Sequence, residues 1–249
     1  MLRGIWLRCV LVVATVLVAT PVFVALLILP RWGDLLIHGG RLWSRILLAA
    51  AGARVRFRHH ERVRQHNPCI FIANHQSMLD VWIMLTLVPP NTRFVAKQEL
   101  FRIPVFGWVL ARSGCIAIDR GKRSVAIRSL RQAGERIRAG RSVVLYPEGS
   151  RSLDGSLGPF KKGAFHLALQ AAVPVVPVAI TGSFEILPPR SLRVRPGPVE
   201  VFIEPPVDIT PFQPDDHEGL RASVHRTIGR HFGDPPSGGE TGVVPQEGA

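Results

Sequence analysis

The chain is short of cysteine, tyrosine, lysine and acidic residues, and each shortage narrows what it can be. Its three cysteines, Cys9, Cys69 and Cys115, lie inside apolar runs without metal-ligand spacing. An odd, unspaced set implies no disulfide framework and reads as reduced core thiols in a cytosolic compartment. A single tyrosine leaves few platforms for stacking bases, which argues against a nucleic-acid binder. No Gly-x-Ser-x-Gly string occurs, so the sharp elbow of a serine hydrolase or thioesterase is missing, and Ser150 is the nearest candidate nucleophile. His59, His60 and His66 are scattered among arginines without a carboxylate or thiol at ligand spacing, and read as a solvated face. Acidic residues number 18 against 31 basic ones, a net charge of +13, and only four of the basic residues are lysine. That balance suits a polyanionic partner: nucleic acid, an anionic membrane face or a phosphorylated substrate.

Charge is also absent from one long stretch. "CVLVVATVLVATPVFVALLILP", Cys9 to Pro30, has no ionisable side chain except the thiol, and it matches the roughly 20 residues that cross a bilayer. A signal peptide would have a shorter apolar run, about 7–15 residues, and a polar cleavage region after it. Instead the chain continues through "RWGDLLIHGGRLWSRILLAAAGARVRFR". There Leu35, Leu36, Leu42, Trp43, Ile46 and Leu47 can line one face of an interfacial helix, weakened at Gly39 and Gly40, with Trp32 and Trp43 as interface rings. Arg31, Arg41, Arg45, Arg54, Arg56 and Arg58 outnumber Arg3 and Arg8, so the positive-inside rule puts the main domain on the cytoplasmic face. Residues 1–53 are therefore expected to anchor the chain in a membrane. Residues 54–232 should form the functional domain, and 233–249, rich in Gly, Pro, Ser and Glu, a disordered tail.

Within the domain, strands alternate with helices. Strands are predicted at "RVRFRH", Cys69–Ala73, 92–97, 115–120, "SVVLYP" and "VPVVPVAI", with two more joined by a Pro-Gly turn in "SLRVRPGPVEVFIEP". Helices are predicted from Asp80, over 104–114, over 122–140, at "KGAFHLALQAA" and at "PDDHEGLRASVHRTIGRHF". The alternation implies an α/β fold with a mixed, largely parallel sheet flanked by helices, behind the N-terminal membrane-anchoring helical segment. Parallel strands bring their C-terminal ends to one edge, where such sheets bind ligands. Charged junctions after Ala73, Ile118 and Tyr146 would meet there.

The first junction, "CIFIANHQSMLDVWIML", carries His75 and Asp80. With His75 in the turn and Asp80 in the first helical turn, the carboxylate can reach back to the imidazole, fix its tautomer and leave the other nitrogen as a base. Asn74 and Ser77 are residue types that cap helix starts, and a capping Asp beside a surface His is the plainer alternative. In the third junction, "LYPEGSRSLDGSLGPFKKGAF", Gly149 lets backbone N–H groups approach a ligand and Arg151 offers a bidentate phosphate contact that Glu148 can orient or neutralise. Lys161 and Lys162 near a helix start are unfavourably placed unless an anion joins them.

Four ordered blocks between Asn67 and Ile180 resemble the glycerophospholipid acyltransferase family, best known for the 1-acylglycerol-3-phosphate (lysophosphatidate) acyltransferases. "NHQSMLD" matches its His-x4-Asp signature, and "KQELFRIPVFGWVLARSGCIAIDR" its second block, including Lys97, Leu100, Pro104, Gly107, Gly114, Asp119 and Arg120. "YPEGSRS" matches Phe-Pro-Glu-Gly-Thr-Arg-Ser with Tyr146 for Phe and Ser150 for Thr, and "VPVVPVAI" matches the fourth block. The resemblance implies acyl transfer from coenzyme A or acyl carrier protein to a lysophospholipid hydroxyl. His75 would be the base and Asp80 its orienter, and Arg120, Glu148, Gly149 and Arg151 would bind the glycerol phosphate with Lys97 as a further cation. It implies no metal or redox cofactor, membrane lipid as a partner, and no nucleic acid. Lysophosphatidate is the default acceptor; other lysolipids are accepted by relatives with nearly the same blocks.

Overall fold

The tetrapeptide Ile70–Ala73 (β2) is buried at every position because it is covered on both edges and both faces. In this computed structural model, which describes residues 2–28, 33–118, 123–191, 193–213 and 216–233, β2 runs parallel to β5 (Val143–Leu145) on one side and β6 (Val175–Thr181) on the other. The seven-stranded sheet has the order β1-β7-β6-β2-β5-β3-β4, with β1 Ala53–Arg58, β3 Arg93–Lys97, β4 Ile116–Ile118 and β7 Gly197–Ile203. From β6 to β4 every pairing is parallel, while β7 runs antiparallel to β6 and parallel to β1. The sheet is therefore mixed and largely parallel, and the C-terminal ends of β2 and β5 are neighbours. Edge strand β1 alternates half-buried and exposed residues, as a strand covered on one face should.

Alternation along the central strands separates two cores. Phe71 and Ala73 face a cluster with Leu47, Trp82, Met84, Val176 and Val178, whereas Ile70 and Ile72 face Ala133, Ile137, Phe165, Leu220 and Val224. The first face carries α3 (Leu79–Leu87) and α2 (Gly33–Ala51), with α1 (Leu2–Ile28) packed on α2. The second carries α5 (Arg123–Arg138), α6 (Gly163–Ala171) and α8 (His217–Gly229); α4 (Phe106–Arg112) and the one-turn α7 (Ser183–Ile186) sit in connections.

Several expectations need correction. "SLRVRPGPVEVFIEP" holds one strand, β7: both of its edges are already taken by β1 and β6, so no hairpin partner can pair with it. The loop after β1 contains a 3-10 turn, His60–Arg64. Helix α2 runs through Gly39 and Gly40, and its expected single apolar face divides. Leu47 is fully buried and the Trp43 N–H donates to Thr15 Oγ1 at 3.0 Å, while Leu42 and Ile46 stay exposed. Leu7 and Ala14 of α1 join the first core, and Ile5, Trp6, Val12, Val13, Val16 and Leu17 are exposed. Among the described residues no helix is long and apolar enough to cross a membrane. Trp32, the Asp119–Arg120 pair and the expected tail from residue 234 lie outside the described residues.

Candidate active site

The turn from β2 to α3 is fixed from both sides before His75 is reached. Asn74 does not cap the helix: its side chain donates to Ile180 C=O at 2.9 Å and accepts from Ile180 N–H at 2.7 Å, pinning the end of β2 to β6. The helix begins after Met78 without a side-chain cap at that residue. The donors of the turn and the helix start are met by Asp80, whose Oδ2 accepts from the N–H groups of Gln76 (2.6 Å) and Ser77 (2.7 Å), and by Ser77 Oγ, which accepts from Leu79 N–H. The same Oδ2 lies 3.0 Å from His75 Nδ1. One fully buried carboxylate thus organises the turn and orients the imidazole. With Nδ1 facing a carboxylate, Nε2 is the nitrogen left to accept a proton. The ring is 12% exposed and lies against Tyr146 at the end of β5. Burial, then the charge of Asp80, pushes the Tyr146 phenol well above its usual range.

After Pro147 the chain folds back over this turn. Glu148 Oε1 accepts from His75 N–H at 2.6 Å, and Oε2 from Gly158 N–H at 3.2 Å. Burial raises its carboxyl to about 7; the two N–H contacts oppose the shift and the charge of Asp80 adds to it. Among the described residues no ion pair joins Glu148 to Arg151, so the expected orienting contact is replaced by backbone contacts. The Gly149 N–H donates to Tyr146 C=O at 3.1 Å and closes the turn. Glycine suits the position because φ is +78°, a backbone conformation that other side chains rarely adopt.

Arg151 borders two clefts. One, about 270 Å³, is lined by Leu7, Arg8, Met78, Trp82 and Arg190 among others; the second, about 540 Å³, by Glu148, Phe160 and Lys161 among others. His75 itself lines neither cleft; Met78 of its turn borders the first, and its hydrogen-bond partners Glu148 and Ser152 border the second. Lys97 is not brought to the imidazole: its Nζ pairs with Glu99 at 3.0 Å, and β5 separates its strand from β2, about 10 Å at the usual strand spacing. Arg120 lies outside the described residues. Ser150 is exposed and makes no hydrogen bond to the His75 ring among the described residues. Sequence reasoning missed the stacking role of Tyr146 and the inward bond of Asn74. Their places in the third and first blocks were the only signals, and neither block says what the side chain touches.

The family model described as Acyltransferase matches residues 54–181. A chloroplastic 1-acyl-sn-glycerol-3-phosphate acyltransferase of Brassica napus is 40% identical over 141 residues, 56% of this chain; the chain spans only 41% of that relative's length. A 1-acyl-sn-glycerol-3-phosphate acyltransferase of Limnanthes douglasii is 33% identical over 214 residues, covering 84% of this chain and 75% of the relative. The crystal structure of the 1-acyl-sn-glycerophosphate acyltransferase PlsC of Thermotoga maritima superposes with a TM-score of 0.79 at 26% identity, covering 92% of this chain and 93% of its own. Sequence and fold coincide over the segment that carries the His75–Asp80 turn and the Glu148–Arg151 loop, and the chain belongs to the acyltransferase family.

Proposed function

We propose that the protein transfers a fatty acyl group from an acyl thioester, on coenzyme A or acyl carrier protein, to the free hydroxyl of 1-acylglycerol-3-phosphate, giving phosphatidate. The observation that carries the reading is the 3.0 Å contact between His75 Nδ1 and buried Asp80, next to clefts that share Arg151. His75 Nε2 takes the acceptor's hydroxyl proton as its oxygen attacks the thioester carbonyl, a role contributing about 10²–10⁴-fold. The C–S bond then breaks, and the imidazolium returns the proton to the leaving thiolate. Asp80 holds the ring and stabilises the imidazolium, while the nucleophile belongs to the substrate. Arg151 binds the phosphate through paired N–H donors, and Lys161 adds a second cation to the same cleft. The reaction so written requires no metal or redox cofactor.

Both lipids are amphiphiles, which supports a membrane-bound enzyme, and the excess of arginines after the apolar run supports a catalytic domain on the cytoplasmic face. The exposed Ile5, Trp6, Val12, Val13, Val16 and Leu17 of α1 supply an apolar surface for that contact. Release of the full chain from membranes by high salt alone would show that arginines, not this surface, hold it there.

The testing experiment is a panel: purified protein, one acyl donor, and lysolipids differing only in headgroup. Lysophosphatidate should be the best acceptor by kcat/KM. Equal use of a lysolipid without a phosphomonoester would remove that acceptor assignment, and covalent labelling of Ser150 by a fluorophosphonate would favour a serine hydrolase.

A further inference from the structure

The peptide groups that flank His75 are both held by one loop. The His75 N–H donates to Glu148 Oε1 at 2.6 Å, and the His75 C=O accepts from Ser152 N–H at 2.9 Å. The neighbouring Gln76 side chain donates to Gly155 C=O. The second oxygen of Glu148 takes the Gly158 N–H at 3.2 Å, so a single carboxylate joins the β2–α3 turn to the strap 152–158. Glu148 is only 8% exposed, and a Cβ at Gly158 would sit 3.0 Å from its Oε2. Both oxygens are thus occupied by backbone donors, although the residue borders the larger cleft. We infer that Glu148 is a positioning residue for His75 rather than a ligand of the acceptor: its carboxylate fixes the peptide that carries the imidazole. The inference rests on the proposed role of His75 as the base.

Substitution by glutamine is the sharp test, because an amide oxygen can serve only one of the two N–H groups and the NH₂ then faces the other donor. Steady-state kinetics of the full chain with lysophosphatidate and an acyl thioester should show kcat of Glu148→Gln lowered roughly 10- to 100-fold, the scale of a small misplacement of a catalytic group. The acceptor KM should stay within about threefold, since no phosphate contact is lost. Glu148→Asp keeps two acceptors on a shorter stem and should recover part of the rate. A raised acceptor KM with kcat intact, in either variant, would make Glu148 a substrate contact and overturn the inference. Unchanged kinetics would overturn it too, as would failure of both variants to fold, which would make Glu148 a folding residue. A wild-type chain that transfers nothing would instead overturn the proposed function, and this inference with it.

Discussion

Tyr146 lies nearly flat on His75, with ring centroids 4.2 Å apart and planes inclined by 25°. The phenol oxygen is buried and has no hydrogen-bond partner among the described residues, so the ring, not the hydroxyl, makes the contact with the imidazole. Together with Asp80 it restricts the imidazole about both axes: the carboxylate sets the in-plane orientation and the stack sets the tilt.

Tyr146→Phe should therefore keep activity within about threefold, since removing an unpaired buried hydroxyl is close to neutral. Tyr146→Leu removes the stack, worth about 0.5–1.5 kcal/mol, and should lower kcat roughly 2- to 12-fold with the acceptor KM unchanged. Equal rates for the leucine and phenylalanine variants would show that the stack is packing alone.

Asp80→Asn separates the two tasks of that residue. The amide oxygen can still accept from Gln76 and Ser77, so loss of stability should be modest, about 1 kcal/mol on the scale of a helix cap. The charge that selects the His75 tautomer is gone, and kcat should fall on the order of 10²–10⁴-fold. His75→Ala should abolish transfer with lysolipid binding retained, and the double variant should cost little more, because residues acting as one unit are not additive. A folded, fully active Asp80→Asn protein would reduce the carboxylate to a cap.

How much of this was legible depends on the range of the interaction. The strand–turn–helix seam, the reach of Asp80 back to His75 and the ends of β2 and β5 meeting at one sheet edge all follow from local periodicity and from parallel pairing. Contacts between a side chain and a distant main chain leave no such trace. Glu148 reads as a partner for Arg151 three residues away, but it bonds the N–H groups of His75 and Gly158. Asn74 has the composition of a cap and bonds Ile180 instead. Pro-Gly before "PVEVF" suggests a hairpin, yet Gly197 simply opens β7, whose neighbours come from elsewhere in the chain. Gly40 weakens a helix in isolation; here α2 packs along α3, and that tertiary packing offsets the lost propensity.

Arg151→Lys keeps the charge and loses the planar fork. If Arg151 grips the phosphate by two parallel hydrogen bonds, the acceptor KM should rise at least tenfold while kcat changes little. The comparison to make is with an acceptor whose phosphate is replaced by a neutral group, for which the two proteins should perform alike. An unchanged KM for lysophosphatidate would take the phosphate away from this residue.

The buried Glu148 carboxyl also predicts how stability varies with pH. Its pKa is raised from 4.5 to about 7 in the folded chain, mainly by burial. Between those values the folded state binds more protons than the unfolded one, so stability must fall as pH rises. The contribution is fully present below about pH 4.5 and is lost as pH passes through about 7. At about 1.36 kcal/mol per pH unit, the wild-type chain should lose on the order of 3 kcal/mol from this group over that window. Urea midpoints measured at pH 5 and pH 8 should differ accordingly, after subtraction of the same difference in Glu148→Gln, which cannot titrate at this position. If the glutamine variant shows the same pH dependence as the wild type, the carboxyl is ionised well below neutrality. The two N–H groups of His75 and Gly158 would then outweigh burial in setting its charge.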